Sequence, residues 1–223
     1  VTRATLLAIG ATALVVATTR AHAQQSTAPR EEAGSHWTPF PAGRLFPTAI
    51  ADPTAPGVGV SALGVTELGI EDAGDVRVML QLGGQFGVVR WQPRAEAGWT
   101  LQLGIDGGFN GQFDATRKTD NIGWDGLYGV TVSAASPRGL VLRFGTMHTS
   151  SHVGDEYIER TGRERIGYTR QELLLGVSWP ATRTLRLYAE VGGAVHLLND
   201  ELQQPWRVQA GAEFLKPGWP FHR

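Results

Sequence analysis

The chain contains no cysteine among its 223 residues. This absence excludes a disulfide framework, a thiolate nucleophile and a cysteine-bound zinc ion. Neither sign of charge is in excess, since the 20 Lys and Arg residues are balanced by 21 Asp and Glu residues. The chain also has no basic stripe with interleaved aromatic residues, so it is not expected to bind nucleic acid.

Long apolar runs are equally scarce, because no stretch beyond the N-terminal segment approaches the roughly 20 residues that a membrane helix needs. Glycine and tryptophan are abundant instead, with 29 and 7 residues, and only 18% of the chain is charged. This composition is typical of a β-rich protein with many tight turns. The length fits one domain.

The first 23 residues have the organisation of a signal peptide. Arg3 precedes an apolar run from Ala4 to Ala17, and Ala21-His22-Ala23 has the small-x-small pattern of a cleavage site. The sequence therefore predicts export, with a mature chain that begins near Gln24. Residues 24–57 contain six prolines and no sustained period, which predicts an irregular periplasmic lead-in.

A strict alternation of apolar and polar side chains dominates residues 58–223. The clearest example runs from Trp99 to Asp114, where Leu101, Leu103 and Ile105 alternate with polar residues or glycine. Such a period predicts a β-strand with one apolar and one polar face. Similar segments recur along the chain and predict an antiparallel, up-and-down transmembrane β-barrel of about eight strands, or part of a larger barrel.

Alternation alone does not say which face is inside, and a soluble secreted barrel or sandwich would have the same period. Two features favour the membrane. Aromatic residues gather at both ends of the apolar segments, with Trp99 and Trp179 at one end and Trp124 and Trp206 at the other, as the two lipid–water interfaces prefer. The shorter predicted connections fall on one end and the longer ones on the other.

The polar face then lines the barrel interior. Twelve charged or titratable residues are predicted there, which favours a filled, salt-bridged lumen over an open pore: Arg77, Asp106, Asp114, Asp125, Arg143, Arg170, Glu172, Arg186, Glu190, His196, Arg207 and Glu213. Mixed signs favour mutual pairing, although Asp106, Asp114 and Asp125 could form a cation site.

Chemistry-bearing residues are concentrated between His148 and Glu172, in the longest predicted external loop and the strand ends on either side of it. A Ser/His/Asp set would suit acyl transfer, since a hydroxyl needs an imidazole as base and a carboxylate to orient it. Neighbouring residues of a strand point to opposite faces, however, so Ser150 and Ser151 could not both face His152 if strand pairing continued there. The catalytic candidates are His148, Ser150, Ser151, His152, Asp155 and Glu156.

The same loop allows two other hypotheses. His148, His152, Asp155 and Glu156 could ligate a metal ion, although their spacing matches no specific motif. The structural alternative, which we favour, pairs the carboxylates with Arg160, Arg163 and Arg165 to hold the loop over the barrel mouth. No cofactor is predicted.

Three segments carry a resemblance to a known family: LFPTAIADPTAP (45–56), HTSSHVGDEY (148–157) and RIGYTRQE (165–172). With them the chain resembles the bacterial outer-membrane proteins grouped as domain-of-unknown-function family twelve-oh-seven. The resemblance implies an outer-membrane location and a barrel fold, and it assigns no catalytic role to any residue. Family members are expected to be longer, with further strands.

The sequence thus predicts an uncharacterised outer-membrane β-barrel that contacts outer-membrane lipid and has a structural or binding role. A filled polar lumen and a structured external loop are part of this prediction, and we favour a non-enzymatic protein. Two alternatives stay open. One is a lipid hydrolase or acyl-modifying enzyme that uses the His/Ser/Asp loop, and the other is a binder of a small ligand or ion at the external mouth.

Overall fold

A computed structural model describes residues 35–52, 54–65, 73–94, 98–118 and 120–214. The predicted signal peptide and residues 24–34 of the predicted lead-in lie outside the described residues. Nearly all described secondary structure is β-strand, as the alternating pattern predicts. The strands are β1 (His36–Pro39), β2 (Gly59–Gly64), β3 (Val76–Gln92), β4 (Thr100–Asp114), β5 (Asp120–Ala135), β6 (Val141–Val153), β7 (Gly167–Pro180), β8 (Leu185–Leu198) and β9 (Trp206–Phe214).

All nine strands belong to one antiparallel sheet, in which each strand from β3 to β9 pairs with its neighbours in sequence. The short strands β1 and β2 both pair with β3, β1 near the end of β3 and β2 near its start. Within the described residues no strand pairs with the second edge of β9, so the sheet has an open edge there. The predicted up-and-down antiparallel arrangement is confirmed, with nine strands where about eight were expected.

The two faces of the sheet differ sharply in polarity. Ile105 is 47% exposed, whereas its neighbour Asp106 is 3% exposed on the opposite face. We call the face of Asp106 the inner face and that of Ile105 the outer face. Side chains of every strand from β3 to β9 line one cavity of about 210 Å³ on the inner face, so the sheet curls around this face. The exposed outer face consists mainly of aliphatic and aromatic side chains.

The chain between β1 and β2 fills part of the inner face. Residues 41–52 and 54–56, the inner segment, have no regular secondary structure and contact the inner face of the sheet. A periplasmic lead-in was predicted over 24–57, but within that range residues 36–39 form β1 and the inner segment packs inside the curled sheet. The sequence does not predict this position, because the partners of the inner segment are polar groups on strands that are distant in sequence.

The strand connections are on average longer at one end of the sheet than at the other, as predicted, although residues 115–119 form a shorter connection than residues 93–99. Residues 93–99, 136–140 and 181–184 connect strands at one end, the short-loop end. Residues 65–75, 115–119, 154–166 and 199–205 do so at the other, the long-loop end. At the short-loop end the turn after Ser136 depends on Gly139, whose φ of 84° lies in the left-handed region that favours glycine.

Helix is sparse in the described part of the chain. The connection between β6 and β7 contains the seven-residue helix α1 (Asp155–Thr161), and Asp200–Leu202 form one 3₁₀ turn. In the ranges that the structure describes, no helix has the length and apolarity required to cross a bilayer.

One predicted inner-face residue lies elsewhere. His196 was expected in the polar interior, but it is exposed and pairs with Gln171. The register between β7 and β8 shifts at Gln171/Glu172, so that Glu172 pairs with Ala194 and Val195 is skipped. Such a β-bulge inserts one residue and exchanges the faces of the residues beyond it. The prediction for His196 is therefore wrong.

Candidate functional site

Most of the predicted catalytic loop is regular structure. Strand β6 continues through Ser150, Ser151 and His152 to Val153, and His152 pairs with Gly167 of β7. The connection proper therefore starts at Gly154. Because side chains alternate along a strand, the candidate residues of β6 separate onto two faces.

His148, Ser150 and His152 lie on the outer face, and we call these three residues the β6 row. The Ser150 Oγ and the His152 Nε2 are 2.9 Å apart, within hydrogen-bond distance. His148 Nδ1 lies 2.9 Å from Oε1 of Gln171 on the neighbouring strand. The row thus contains a hydroxyl that is already paired with an imidazole.

Aromatic rings flank the β6 row on strand β5. The rings of Trp124 and His152 are 4.7 Å apart, and those of Tyr128 and His148 stack at 4.4 Å. Phe109 of β4 stacks on Trp124 at 5.8 Å. These contacts follow from the strand register, because Trp124 pairs with His152 and Tyr128 with His148. The two imidazoles are consequently held between neighbouring strands.

Ser151, by contrast, belongs to the inner face. Its hydroxyl donates a hydrogen bond to Asp125, its direct partner on β5. The neighbouring serines therefore have different partners on opposite sides of the sheet. The expectation that Ser150 and Ser151 cannot both face His152 agrees with this geometry.

The two acidic candidates belong to neither face of β6. Asp155 and Glu156 form the first turn of α1. Asp155 accepts a hydrogen bond from Arg165, and both side chains of this pair are largely exposed. The structure therefore brings Ser150 and His152 together but does not add Asp155 to them as the third member of a triad.

The strand spaces His148 and His152 apart instead of bringing their rings together. At about 3.3 Å per residue, two residues four apart are separated by about 13 Å along β6, whereas zinc lies about 2.0 Å from each ligating nitrogen. In the described ranges no group of three or more His, Cys, Asp or Glu side chains is arranged to hold a metal ion. In a helix, by contrast, residues four apart lie on the same face, and the two histidines would have been neighbours.

Helix α1 is docked onto the end of the sheet. Tyr157 is its buried residue, and the Nε of Arg160 donates to Asp120 at the start of β5 over 3.0 Å. The Arg160 guanidinium also lies 5.4 Å from the centre of the Tyr157 ring. Arg160 thus joins the connection to β5, whereas the exposed pair of Arg165 with Asp155 lies within the connection and contributes little to its position.

A chain of ion pairs crosses the inner face on β6 to β9. Arg207 donates to Glu172 over 2.8 Å and to Glu190 over 2.9 Å. Glu190 also accepts from Arg143, and Glu172 accepts from Arg170 over 2.6 Å. These side chains are mostly buried, and each carboxylate has two arginine partners. Such pairing is what a buried charge requires, since an unpaired one is strongly destabilising.

The inner segment is fixed by a second cluster of charges. Arg186 donates to the carbonyl oxygens of Pro47 and Thr48 over 3.0 and 2.9 Å, and it also pairs with Glu213. Glu213 in turn accepts from the backbone N–H of Ile50 over 2.6 Å. Three polar backbone groups of the segment are therefore satisfied by side chains of β8 and β9.

Two further side chains of the inner segment enter the same interior. The Arg143 guanidinium lies 4.5 Å from the centre of the Phe46 ring, and Arg44 donates to Gln85 over 3.2 Å. Burial lowers the pKa of Arg44, while the charge of Asp106 opposes that change. Sequence reasoning missed these contacts. The one signal was the LFPTAIADPTAP segment, which carried the family resemblance without indicating its location.

A small cavity remains beside the inner segment. It has a volume of about 210 Å³, and Leu127, Met147 and Leu174 form an apolar cluster in its wall. Arg170 and Glu172 contribute charged groups to the same cavity. The arrangement has room for water or a small molecule, and Arg170 and Glu172 are paired with each other, although the buried Nη2 of Arg170 has no hydrogen-bond partner among the described residues.

Comparison with known proteins gives one match. A family model described as "Protein of unknown function (DUF1207)" matches residues 18–221, a range that includes every described strand. No curated protein and no solved structure matches the chain.

Proposed function

Since the chain belongs to the DUF1207 family of proteins of unknown function, as its sequence resemblance predicted, we propose a function from geometry: it is a bacterial outer-membrane β-barrel with a filled polar lumen. The observation that carries the proposal is the inverted polarity of the sheet. Its charged groups are buried on the inner face and its aliphatic side chains are exposed on the outer face. A soluble protein buries the opposite set.

Strand length supports the same proposal. Strands β3 to β8 contain 17, 15, 16, 13, 14 and 14 residues. A tilted strand needs about 9 to 11 residues to cross the hydrocarbon region, whereas strands of soluble proteins commonly have about five or six. Each of these strands is long enough to cross and to project at both ends.

Aromatic residues mark two levels on the outer face. At the short-loop end, the rings of Trp37 and Trp91 are 6.5 Å apart. Trp179 is exposed at the same end of the sheet, where β7 ends. At the long-loop end, Trp124 and Phe109 stack. We assign these levels to the two lipid–water interfaces, which aromatic side chains favour, with the long-loop end outside the cell.

The barrel is proposed to close between β9 and the two short strands. Both β1 and β2 run antiparallel to β3, as β4 does, and therefore antiparallel to β9. Together they occupy one strand position that the inner segment interrupts. Seven long strands plus this composite strand give the eight positions of a small barrel, whose interior has room for little beyond side chains. The inner segment and the ion pairs then close the lumen to solutes.

Two equally exposed leucines allow a direct test of membrane insertion. Leu175, in the middle of β7, and Leu198, at the end of β8, are both 55% exposed on the outer face. Lysine at the bilayer midplane of a barrel costs about 2–4 kcal/mol and near the interface about 0–1 kcal/mol. We therefore expect Leu175→Lys to destabilise the refolded protein much more than Leu198→Lys, measured by urea unfolding in lipid vesicles.

In water the two substitutions would be tolerated alike, and equal stabilities would overturn the proposal. Heat-modifiable migration on a detergent gel is the rapid companion assay, and partition as a soluble monomer would also contradict the proposal.

Closure of the barrel is tested by disulfide formation between introduced cysteines, because the native chain lacks cysteine. Val60→Cys of β2 is combined in turn with Val208→Cys, Ala210→Cys or Ala212→Cys of β9. If the two strands pair, one of these three double variants should form a disulfide. The matched control is Val191→Cys with Val208→Cys, two residues that pair directly, and cross-linking of the control alone contradicts closure.

A further inference from the structure

The β6 row interrupts a predominantly apolar surface with polar side chains. His148, Ser150 and His152 are alternate residues of one strand, and all three are partly exposed on the outer face. Neither the ion pairs of the inner face nor the contacts of the inner segment involve them. A stable barrel does not need a serine and two imidazoles at this place, so the row calls for a separate explanation.

The contacts of Ser150 would allow an imidazole to activate its hydroxyl. Its Oγ lies 2.9 Å from His152 Nε2, the distance at which an imidazole can accept the hydroxyl proton. The His152 ring packs against Trp124, and Gly167 leaves space on the other side, since a Cβ there would lie 3.0 Å from His152 Nδ1. The base is therefore held in place by its neighbours.

His148 lies two residues before Ser150 on the same face and is fixed in a similar way. Gln171 accepts at Nδ1 over 2.9 Å, and the Tyr128 ring stacks on the imidazole. These contacts hold the His148 ring on the face that carries Ser150 and His152.

The level of the row on the barrel suggests the substrate. Trp124 and Phe109 flank it, and the proposed function assigns these rings to the outer lipid–water interface. Lipid ester bonds lie at that level, between the head groups and the acyl chains. This step rests on the proposed membrane position.

We propose that the β6 row hydrolyses an acyl ester of a lipid in the outer leaflet, with Ser150 as nucleophile and His152 as general base. Ser150 Oγ bonds to the carbonyl carbon while its proton passes to His152 Nε2. The tetrahedral intermediate collapses, and the leaving alkoxide takes the proton from His152. Water then attacks the acyl-serine with His152 again as base, which releases the fatty acid and restores the hydroxyl. Asp155, which pairs with Arg165, is outside this set, so the site is a dyad.

The test measures release of fatty acid by the refolded full chain from two kinds of vesicle, phosphatidylethanolamine alone and phosphatidylethanolamine with lipopolysaccharide. Release from the first identifies a phospholipid ester, and additional release of hydroxylated acyl chains identifies the lipopolysaccharide. General base catalysis contributes about a hundredfold or more, so Ser150→Ala and His152→Gln should each lose at least that factor. Ser151→Ala, one residue away on the inner face, is the matched control and should retain activity.

A covalent readout makes the test independent of the lipid chosen. A fluorophosphonate should add to Ser150, detected by intact mass, and the adduct should be lost in Ser150→Ala and kept in Ser151→Ala. Heat-modifiable migration is recorded for every variant to verify folding. If the folded wild-type protein neither releases fatty acid nor accepts the fluorophosphonate, the hydrolase is overturned while the barrel stands. If the protein does not show heat-modifiable migration, the proposed function itself fails.

Discussion

Removal of one arginine should release the inner segment. Arg186 is 6% exposed and Glu213 is 8% exposed, so Arg186→Ala would leave a buried carboxylate without its guanidinium. It would also remove the donors to the carbonyl oxygens of Pro47 and Thr48. Breaking a buried ion pair by deletion of one partner costs about 3–5 kcal/mol. That range corresponds to about a hundredfold to a few thousandfold in the unfolding equilibrium constant.

Two measurements check this expectation. Urea unfolding of the vesicle-refolded protein, followed by tryptophan fluorescence, gives the change in stability. Trypsin cleavage after Arg44 reports release of the inner segment, because this arginine lies within it. The matched control is Arg183→Ala, which changes an exposed arginine of the turn before β8. A second variant, Arg186→Ala with Glu213→Gln, should recover part of the loss because it removes the unpaired charge.

The reasoning is refuted if Arg186→Ala is as stable as Arg183→Ala and Arg44 stays equally resistant to trypsin. In that case the contacts of Arg186 would be replaced by water at no loss, and the inner segment would be held by other groups. The double variant can also separate two contributions. If it regains stability to urea while trypsin still cleaves after Arg44, the loss of stability came from the unpaired Glu213 carboxylate and the release of the inner segment came from the lost hydrogen bonds of Arg186.

Three further substitutions test other parts of the structure. Gly176→Ala should loosen the inner segment, because the added Cβ would lie 3.0 Å from the Phe46 ring, whereas Gly193→Ala meets nothing within 4 Å; faster trypsin cleavage in the first variant alone is the expected result. Tyr157→Ala should detach helix α1 and expose residues 154–166 to protease without a loss of heat-modifiable migration. Asp114→Ala removes an acceptor of three hydrogen bonds and should lower stability by about 1–3 kcal/mol, measured by urea unfolding.

The strands were largely accessible to sequence reasoning because their period is a local property. Trp99 to Asp114 predicted β4 within one residue, and weaker alternation over 58–65 and 124–135 still marked β2 and most of β5. The same alternation placed eleven of the twelve predicted inner-face residues correctly, since they lie on the inner face of the sheet. The exception, His196, depends on a bulge that the alternation of β8 does not reveal.

The candidate site was less accessible, because its geometry depends on where β6 ends. A loop over 150–165 would have left five of the six candidates free to converge, whereas the strand puts Ser150 with His152 and Ser151 with Asp125. The position of the inner segment could not be predicted from a periodic pattern either, because the segment has no regular secondary structure. Its contacts with Arg186 and Glu213 join parts of the chain that are far apart in sequence, and no local preference specifies such partners.

The bond between Ile50 and Glu213 has a consequence for the order of folding. It joins residues 163 positions apart, and the carboxylate belongs to the last described strand. A chain that has formed β2 to β8 still lacks this acceptor, so the contacts of the inner segment can be completed only after β9 has been added. Strands that pair with their sequence neighbours form short loops and are expected to assemble early. Filling of the interior is then the final event, and it couples the inner segment, near the start of the described chain, to the correct placement of β9.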